Sequence, residues 1–368
     1  VDYIKPSSDF QPTLGFHFDE AFNVIAGEVK NVQENVGLCE VNGFNRFEIT
    51  GADRHAFLDR MFCGTVTKKA AHVGLGYLLN HHGMVKGEAT ITNIPASDRG
   101  PDRVWYGSAA AAEYHDMDWL RAHLDPALDV QVKSLTNDQT ILVLAGPKAR
   151  NVLSACSRGD WSRDAFPWLT VRECFIGFAP ATVLGVSFSG ELAYEIHVPN
   201  HALYAAYTAL RTAGDAQGLK IFGARAVDSM RLEKGFLHWK ADLLTEFDPF
   251  ETGLERFVKM NKPDFIGKAA LSKRVATGPR KKLASLHIDC THAPAPGGAS
   301  VKVGGRVTGT ITSGDWGHRL GMNLAYGFVS PEHAEIGTKM TVDVIGKPVP
   351  TTVIGAGPYD PTNAIMRG

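Results

Sequence analysis

The feature that most constrains this chain is a change of texture near Arg280. Beyond it, short strand-like runs at 283–288, 300–303, 308–312, 324–329, 340–344 and 351–354 alternate with Gly and Pro punctuation. That spacing predicts a small β-barrel or sandwich. Upstream the rhythm differs. Strand-like segments at 41–50, 75–80, 84–94, 103–108, 130–135, 140–145, 181–188 and 193–198 are interrupted by helical stretches at 54–62, 109–124, 201–217 and 223–233. Strand pairs alternating with helices predict α+β packing rather than a doubly wound parallel sheet. Asp53 is placed to cap the helix at 54–62, Gly83 to turn the hairpin between 75–80 and 84–94, and Pro147 to open a helix. The basic stretch 273–282, with Gly278-Pro279, reads as a solvated connector.

Length and charge bound the function. At 368 residues the chain has room for two or three domains. Its 38 Lys+Arg against 39 Asp+Glu give a net charge of −1. Such a balance argues against a nucleic-acid binder that relies on a global positive field. The five cysteines are dispersed without a C-x-x-C pair, so free thiols in a reducing compartment are expected, with no metal site. The first residues lack a basic segment leading into an apolar one, and no apolar run approaches the roughly 20 residues of a membrane span. A cytoplasmic protein without a membrane partner is expected, although a processed organellar protein would read the same way.

No dinucleotide fingerprint, P-loop, H-E-x-x-H or G-x-S-x-G occurs. His81-His82 reads as a polar hairpin turn, because adjacent strand residues point to opposite faces. Carboxylates within apolar strands are more informative. Glu88 (in MVKGEATITNI) and Glu195 (in SFSGELAYEIHV) either face water or pay for burial with a partner. If they share a cavity, they can accept hydrogen bonds from a polar heterocycle or move protons. Glu191, after the Gly190 turn, is expected to be exposed. Arg231 and Glu233 read as a helix-end charge pair, and Trp239, just past that helix, as core or pocket wall.

Several motifs occur in one order along the chain: FNRFEITGADRHAFLDRMFCGTV (44–66), GMVKGEATI (83–91), AGPKAR (145–150), SGELAYEI (189–196), DSMRLEKG (228–235), DPFETGL (248–254), FVKMNK (257–262), FIGK (265–268), SGDWGH (313–318) and YDPTN (359–363). Together they resemble the aminomethyltransferase (glycine-cleavage T-protein) superfamily, nearest to the folate-binding C-terminal half of dimethylglycine and sarcosine dehydrogenases. The resemblance implies a three-lobed α+β fold around a central channel for tetrahydrofolate. Residues 1–135 and 180–272 would form the two α+β lobes, split by a connecting segment at 136–179, and 280–368 the barrel. It also implies that Glu88 is the catalytic carboxylate near the reactive pterin nitrogens and that Glu195 hydrogen-bonds the pterin. Tyr77 and Trp239 would belong to the cofactor pocket. A family arginine aligns with Val227, leaving Arg225, two residues away, as the cofactor-binding candidate. A family tyrosine aligns with Ala364.

The implied activity is transfer of a methyl or methylene group from a small methylated donor, foremost an N-methyl amine, to tetrahydrofolate. The resembling dehydrogenases carry a flavin domain ahead of this region, and residues 1–40 are too few for one. A separate flavin-dependent oxidase is therefore an expected partner, and a folate-binding subunit of such an oxidase is one alternative. O- or S-demethylation is another. Residues 10–22, with Phe16, His17 and Phe18, read as a cap on the channel or as a packing arm.

Overall fold

The computed structural model describes residues 15–41 and 43–368. Two open sheets and a closed barrel surround one cavity. The first sheet is antiparallel and runs in the order His72–Leu79, Val85–Ile94, Arg103–Ala109, Phe44–Thr50, Gln131–Ser134. One face packs under helices Arg54–Met61 and Glu113–Ala122, burying Phe47, Ile49, Leu58, Ile91 and Leu120. The helix at Arg54 begins where expected, but the Asp53 carboxylate accepts the Asp129 amide at 3.0 Å instead of capping its own helix.

The second sheet has six strands in the order Leu219–Ile221, Val36–Glu40, Gln139–Ala145, Ala193–Pro199, Ala179–Leu184, Val171–Ile176. Of these pairings, only Val36–Glu40 with Leu219–Ile221 is parallel. The chain crosses between the sheets twice, after Glu40 and after Ser134. Segment 136–179, read from sequence as a connecting α/β segment with a strand at 140–145 and a helix opening at Pro147, holds the strands Gln139–Ala145 and Val171–Ile176 and the helix Ala149–Cys156, and both strands lie in the six-stranded sheet. The apolar run Gln139–Ala145 finds its partners, Val36–Glu40 and Ala193–Pro199, far away in sequence, which local patterning does not specify.

The C-terminal unit is a closed six-stranded barrel. Lys282–Ile288 pairs with both Met322–Val329 and Lys347–Ile354, which closes the ring. Helix Lys268–Thr277 runs through the expected connector, and Arg274 and Arg280 pair with buried Glu251 at 3.6 and 3.1 Å. This segment is thus tethered by ion pairs to the loop around Asp248 rather than solvated throughout.

Helix Ala224–Lys234 joins the parts. Residues Met230 to Lys234 are all buried, because the last turn is wedged between sheet and barrel. It stops at Gly235, whose φ of 83° is left-handed and where a Cβ would lie 2.9 Å from the Gly357 Cα. The Gly235 and Phe236 amides donate to Leu232 and Arg231, closing a Schellman motif. The expected Arg231–Glu233 pair does not form. Arg231 reaches Asp228 at 2.6 Å and Asp242 at 2.8 Å, whereas Glu233 pairs with Arg319 of the barrel. Arg319 also meets Glu191 at 2.7 Å, and the Tyr359 hydroxyl donates to the same carboxylate at 2.7 Å. Glu191 is 1% exposed, against the expectation of a solvated turn residue. Its charge is compensated by a cation 128 positions away.

Phe18 and Phe22 pack edgewise on Trp316, and His17 lies against His292, so the described part of the N-terminal arm lies against the barrel. Phe16 is exposed, and residues 10–14 fall outside the described residues. No helix among the described residues is long and apolar enough to cross a membrane. The five cysteines are free thiols.

Candidate functional site

The cavity at the junction of the three units has a volume of about 550 Å³. Its walls are mostly apolar, and Phe188 and Phe236 lie nearly parallel on one side at an interplanar angle of 14°. Charge enters through four lining residues: Glu88, Glu195, Lys234 and Arg256. Such a space, apolar with a few placed polar groups, suits a flat small molecule.

Glu88 and Tyr77 face one another across the hairpin His72–Leu79 and Val85–Ile94, in direct register. The Tyr77 hydroxyl donates to Glu88 Oε2. Burial pushes the Glu88 carboxyl up to about 7, although the bond from Tyr77 favours the ionised form. Burial also drives Tyr77 well above its ordinary value, with the charge of Glu88 adding to the effect. Near neutrality Glu88 can therefore hold or release a proton while Tyr77 remains a donor.

Glu195 approaches from the strand Ala193–Pro199 of the other sheet. His197, two positions along and on the same face, lies 3.1 Å from Glu195 Oε2 through Nε2. Burial lowers the His197 pKa, outweighing the attraction of Glu195, so the ring is neutral and its Nε2 N–H is placed to donate to the Glu195 carboxyl. Oε1 of Glu195 has no partner among the described residues, and the carboxylate opens on the cavity. Buried Arg46 lies close enough to act electrostatically with Glu195, and its Nε and Nη1 lack hydrogen-bond partners.

Tyr77, Glu88 and Glu195 thus meet at one cavity. Trp239 does not line it; its ring packs behind, in the cluster that holds Tyr77, Leu79 and Phe265. Arg225 lies at the opposite end of its helix from the cavity and binds Asp19 at 3.0 Å, tying down the N-terminal arm. Sequence reasoning passed over Arg256, Lys234, Phe188 and Phe236. A helix ending at Gly235, with Lys234 before it and Phe236 after it, was the available signal for two of these. No group of three or more His, Cys, Asp or Glu side chains placed to hold a metal occurs among the described residues.

Two interleaved sheets and a barrel closing on a cavity with opposed carboxylates define a small-molecule protein of the three-lobed aminomethyltransferase fold. Residues 3–262 match the GCVT N-terminal domain and residues 281–360 the glycine cleavage T-protein C-terminal barrel domain. The chain belongs to the glycine cleavage T-protein family. It is 31% identical over 354 residues to the mitochondrial dimethylglycine dehydrogenase of Rattus norvegicus, covering 96% of this chain and 41% of that protein. With the mitochondrial sarcosine dehydrogenase of Mus musculus it shares 26% over 370 residues, covering 96% and 40%. The chain spans about two fifths of the length of these relatives. The glycine cleavage system aminomethyltransferase T of Bartonella henselae has the same fold, with a TM-score of 0.81 at 22% identity over 91% of this chain and 90% of that one.

Proposed function

We propose that the chain binds tetrahydrofolate in the central cavity and transfers to it a one-carbon unit from a small N-methylated amine. The observation that carries this reading is the pairing of two carboxylates with different environments on one cavity: Glu195, held by neutral His197, and Glu88, held near neutrality by burial. A pterin edge presents N–H donors, and the free Oε1 of Glu195 is the complementary acceptor. The residues present therefore fit the cofactor. When bound, tetrahydrofolate supplies the nucleophilic nitrogen that accepts the carbon. The Phe188 and Phe236 walls orient a flat ring and exclude water. Glu88 takes up or returns the proton displaced at that nitrogen, a role suited to a group that titrates near pH 7.

A flavin-dependent oxidase that supplies the oxidised donor is part of the reading. In its support, the similar proteins named as dehydrogenases are more than twice as long as the matched region. We also propose the division into lobes at 1–135 with 180–272 and barrel at 280–368, with 136–179 assigned to the six-stranded sheet. The test is titration of the purified chain with tetrahydrofolate. It is followed by incubation with dimethylglycine or sarcosine, with and without an N-methyl-amine oxidase. Formation of 5,10-methylene- or 5-methyl-tetrahydrofolate is expected; absence of folate binding overturns the proposal.

A further inference from the structure

We propose that Arg256 is the carboxylate anchor of the cavity, receiving an anionic end of the ligand whose other groups meet Glu88 and Glu195. The inference rests on the folate reading above and adds to it the charge of what is bound. Of the two cations lining the cavity, Lys234 is neutralised by Asp360 at 3.1 Å, with both side chains buried. Arg256 has no ion-pair partner among the described residues.

Its position is fixed by stacking. The guanidinium lies 4.7 Å from the centroid of Phe257, and Phe257 in turn lies 4.9 Å from the ring of Tyr77, which donates to Glu88. One wall thus runs from an unpaired cation through two rings to the titrating carboxylate. Arg256 also tempers the rise in the Tyr77 pKa, placing its charge within electrostatic reach of that wall. The turn Glu255–Phe257 that carries it is pinned by the Leu254 amide bonding to Pro249 at 2.8 Å.

A planar guanidinium with free N–H groups selects a carboxylate, which it can bind through two parallel bonds. Without ligand the cavity holds two acids and one unpaired base. A molecule bearing N–H donors or a cationic amine at one end and a carboxylate at the other complements that arrangement. Two ligands of the proposed reaction carry such a carboxylate: the glutamyl tail of the folate, and an N-methyl amino acid as donor.

The test is calorimetric titration of the intact chain and of Arg256→Gln and Arg256→Lys. Tetrahydrofolate is compared with tetrahydropteroyl amide, in which a neutral primary amide replaces the glutamate and no carboxylate remains. The folate-loaded protein is then compared with N,N-dimethylglycine against dimethylamine. In at least one pair the unaltered chain should prefer the carboxylate-bearing member by about 10-fold, the lower range for a charge-assisted bond at an exposed rim. Arg256→Gln should abolish that preference, and Arg256→Lys should keep part of it. A preference in the first pair assigns the anchor to the folate tail, and one in the second assigns it to the donor. Equal affinities within both pairs, or preferences that survive Arg256→Gln, overturn the anchor alone. Failure of the unaltered chain to bind tetrahydrofolate overturns the folate reading and the anchor together. Arg256 is exposed, so unchanged melting of both variants is expected and separates lost recognition from lost fold.

Discussion

Replacing Glu88 with Gln should stabilise the protein at alkaline pH while removing its chemistry. Burial lifts the Glu88 pKa from 4.5 to about 7. At about 1.4 kcal/mol per tenfold change, this corresponds to about 3 kcal/mol. The sign follows from proton linkage. Below pH 4.5 the carboxyl is protonated in both folded and unfolded chains. Between 4.5 and about 7 the folded chain keeps a proton that the unfolded chain has released, so stability falls as pH rises. Above that window the whole cost of a desolvated carboxylate is present. A Gln amide keeps an acceptor for the Tyr77 hydroxyl without the charge. Urea unfolding of both proteins at pH 5 and pH 8.5 should show Glu88→Gln more stable by about 3 kcal/mol at the higher pH and by less than about 1 kcal/mol at the lower. One-carbon transfer should fall by about 100-fold or more. A stability gap independent of pH, or a variant less stable than the parent at pH 8.5, would show that Glu88 is not held desolvated and would refute the reasoning.

Tyr77→Phe deletes the hydrogen bond that favours ionised Glu88, so the Glu88 pKa should rise and the acid limb of the pH–rate profile should move to higher pH; an unmoved profile counts against the pairing. His197→Ala leaves Glu195 without its fixed donor and should weaken tetrahydrofolate binding by about 10-fold, with His197→Gln recovering part of the loss, as read by titration. Arg319→Met strips the cation from buried Glu191 and Glu233 and should cost at least about 3 kcal/mol in denaturant unfolding. Gly235→Ala forces a side chain into a left-handed residue against Gly357 and should lower the melting temperature by several degrees.

The strands of the barrel were legible because each is a short apolar run bounded by Gly or Pro, and the observed bounds exceed the expected ones mainly where polar residues extend a strand, as in Arg306–Gly317. The hairpin carrying Glu88 was legible for the same reason, with Gly83 at its turn. Patterning missed one local hairpin and the long-range contacts. Val171–Ile176 reads poorly as a strand because Arg172 and Glu173 interrupt it, yet it pairs along its whole length with the adjacent strand Ala179–Leu184. The ion pairs of Glu191 and Glu233 depend on Arg319, which only the tertiary fold brings near, whereas Arg231 also has a local partner in Asp228 on its own helix. Glu191 and Glu195 show the limit most clearly. They lie four residues apart in one motif, and nothing local distinguishes the acid that is locked by Arg319 from the one left open on the cavity.

That division of labour explains how a largely apolar cavity is kept open. The chain passes from the six-stranded to the five-stranded sheet between Glu40 and Phe44, and back between Ser134 and Gln139, so two short connectors limit how far the sheets can move apart. The buried Glu191–Arg319–Glu233 cluster and the Lys234–Asp360 pair then fix the barrel and the C-terminal segment against the same helix end. These ions are fully engaged and are unavailable to a ligand. The charges not engaged in that scaffold, Glu88, Glu195 and Arg256, face the cavity from three different elements. Rigid structural pairs thus build a scaffold that does not draw on the three charges facing the cavity, the arrangement that preorganisation of the proposed site requires.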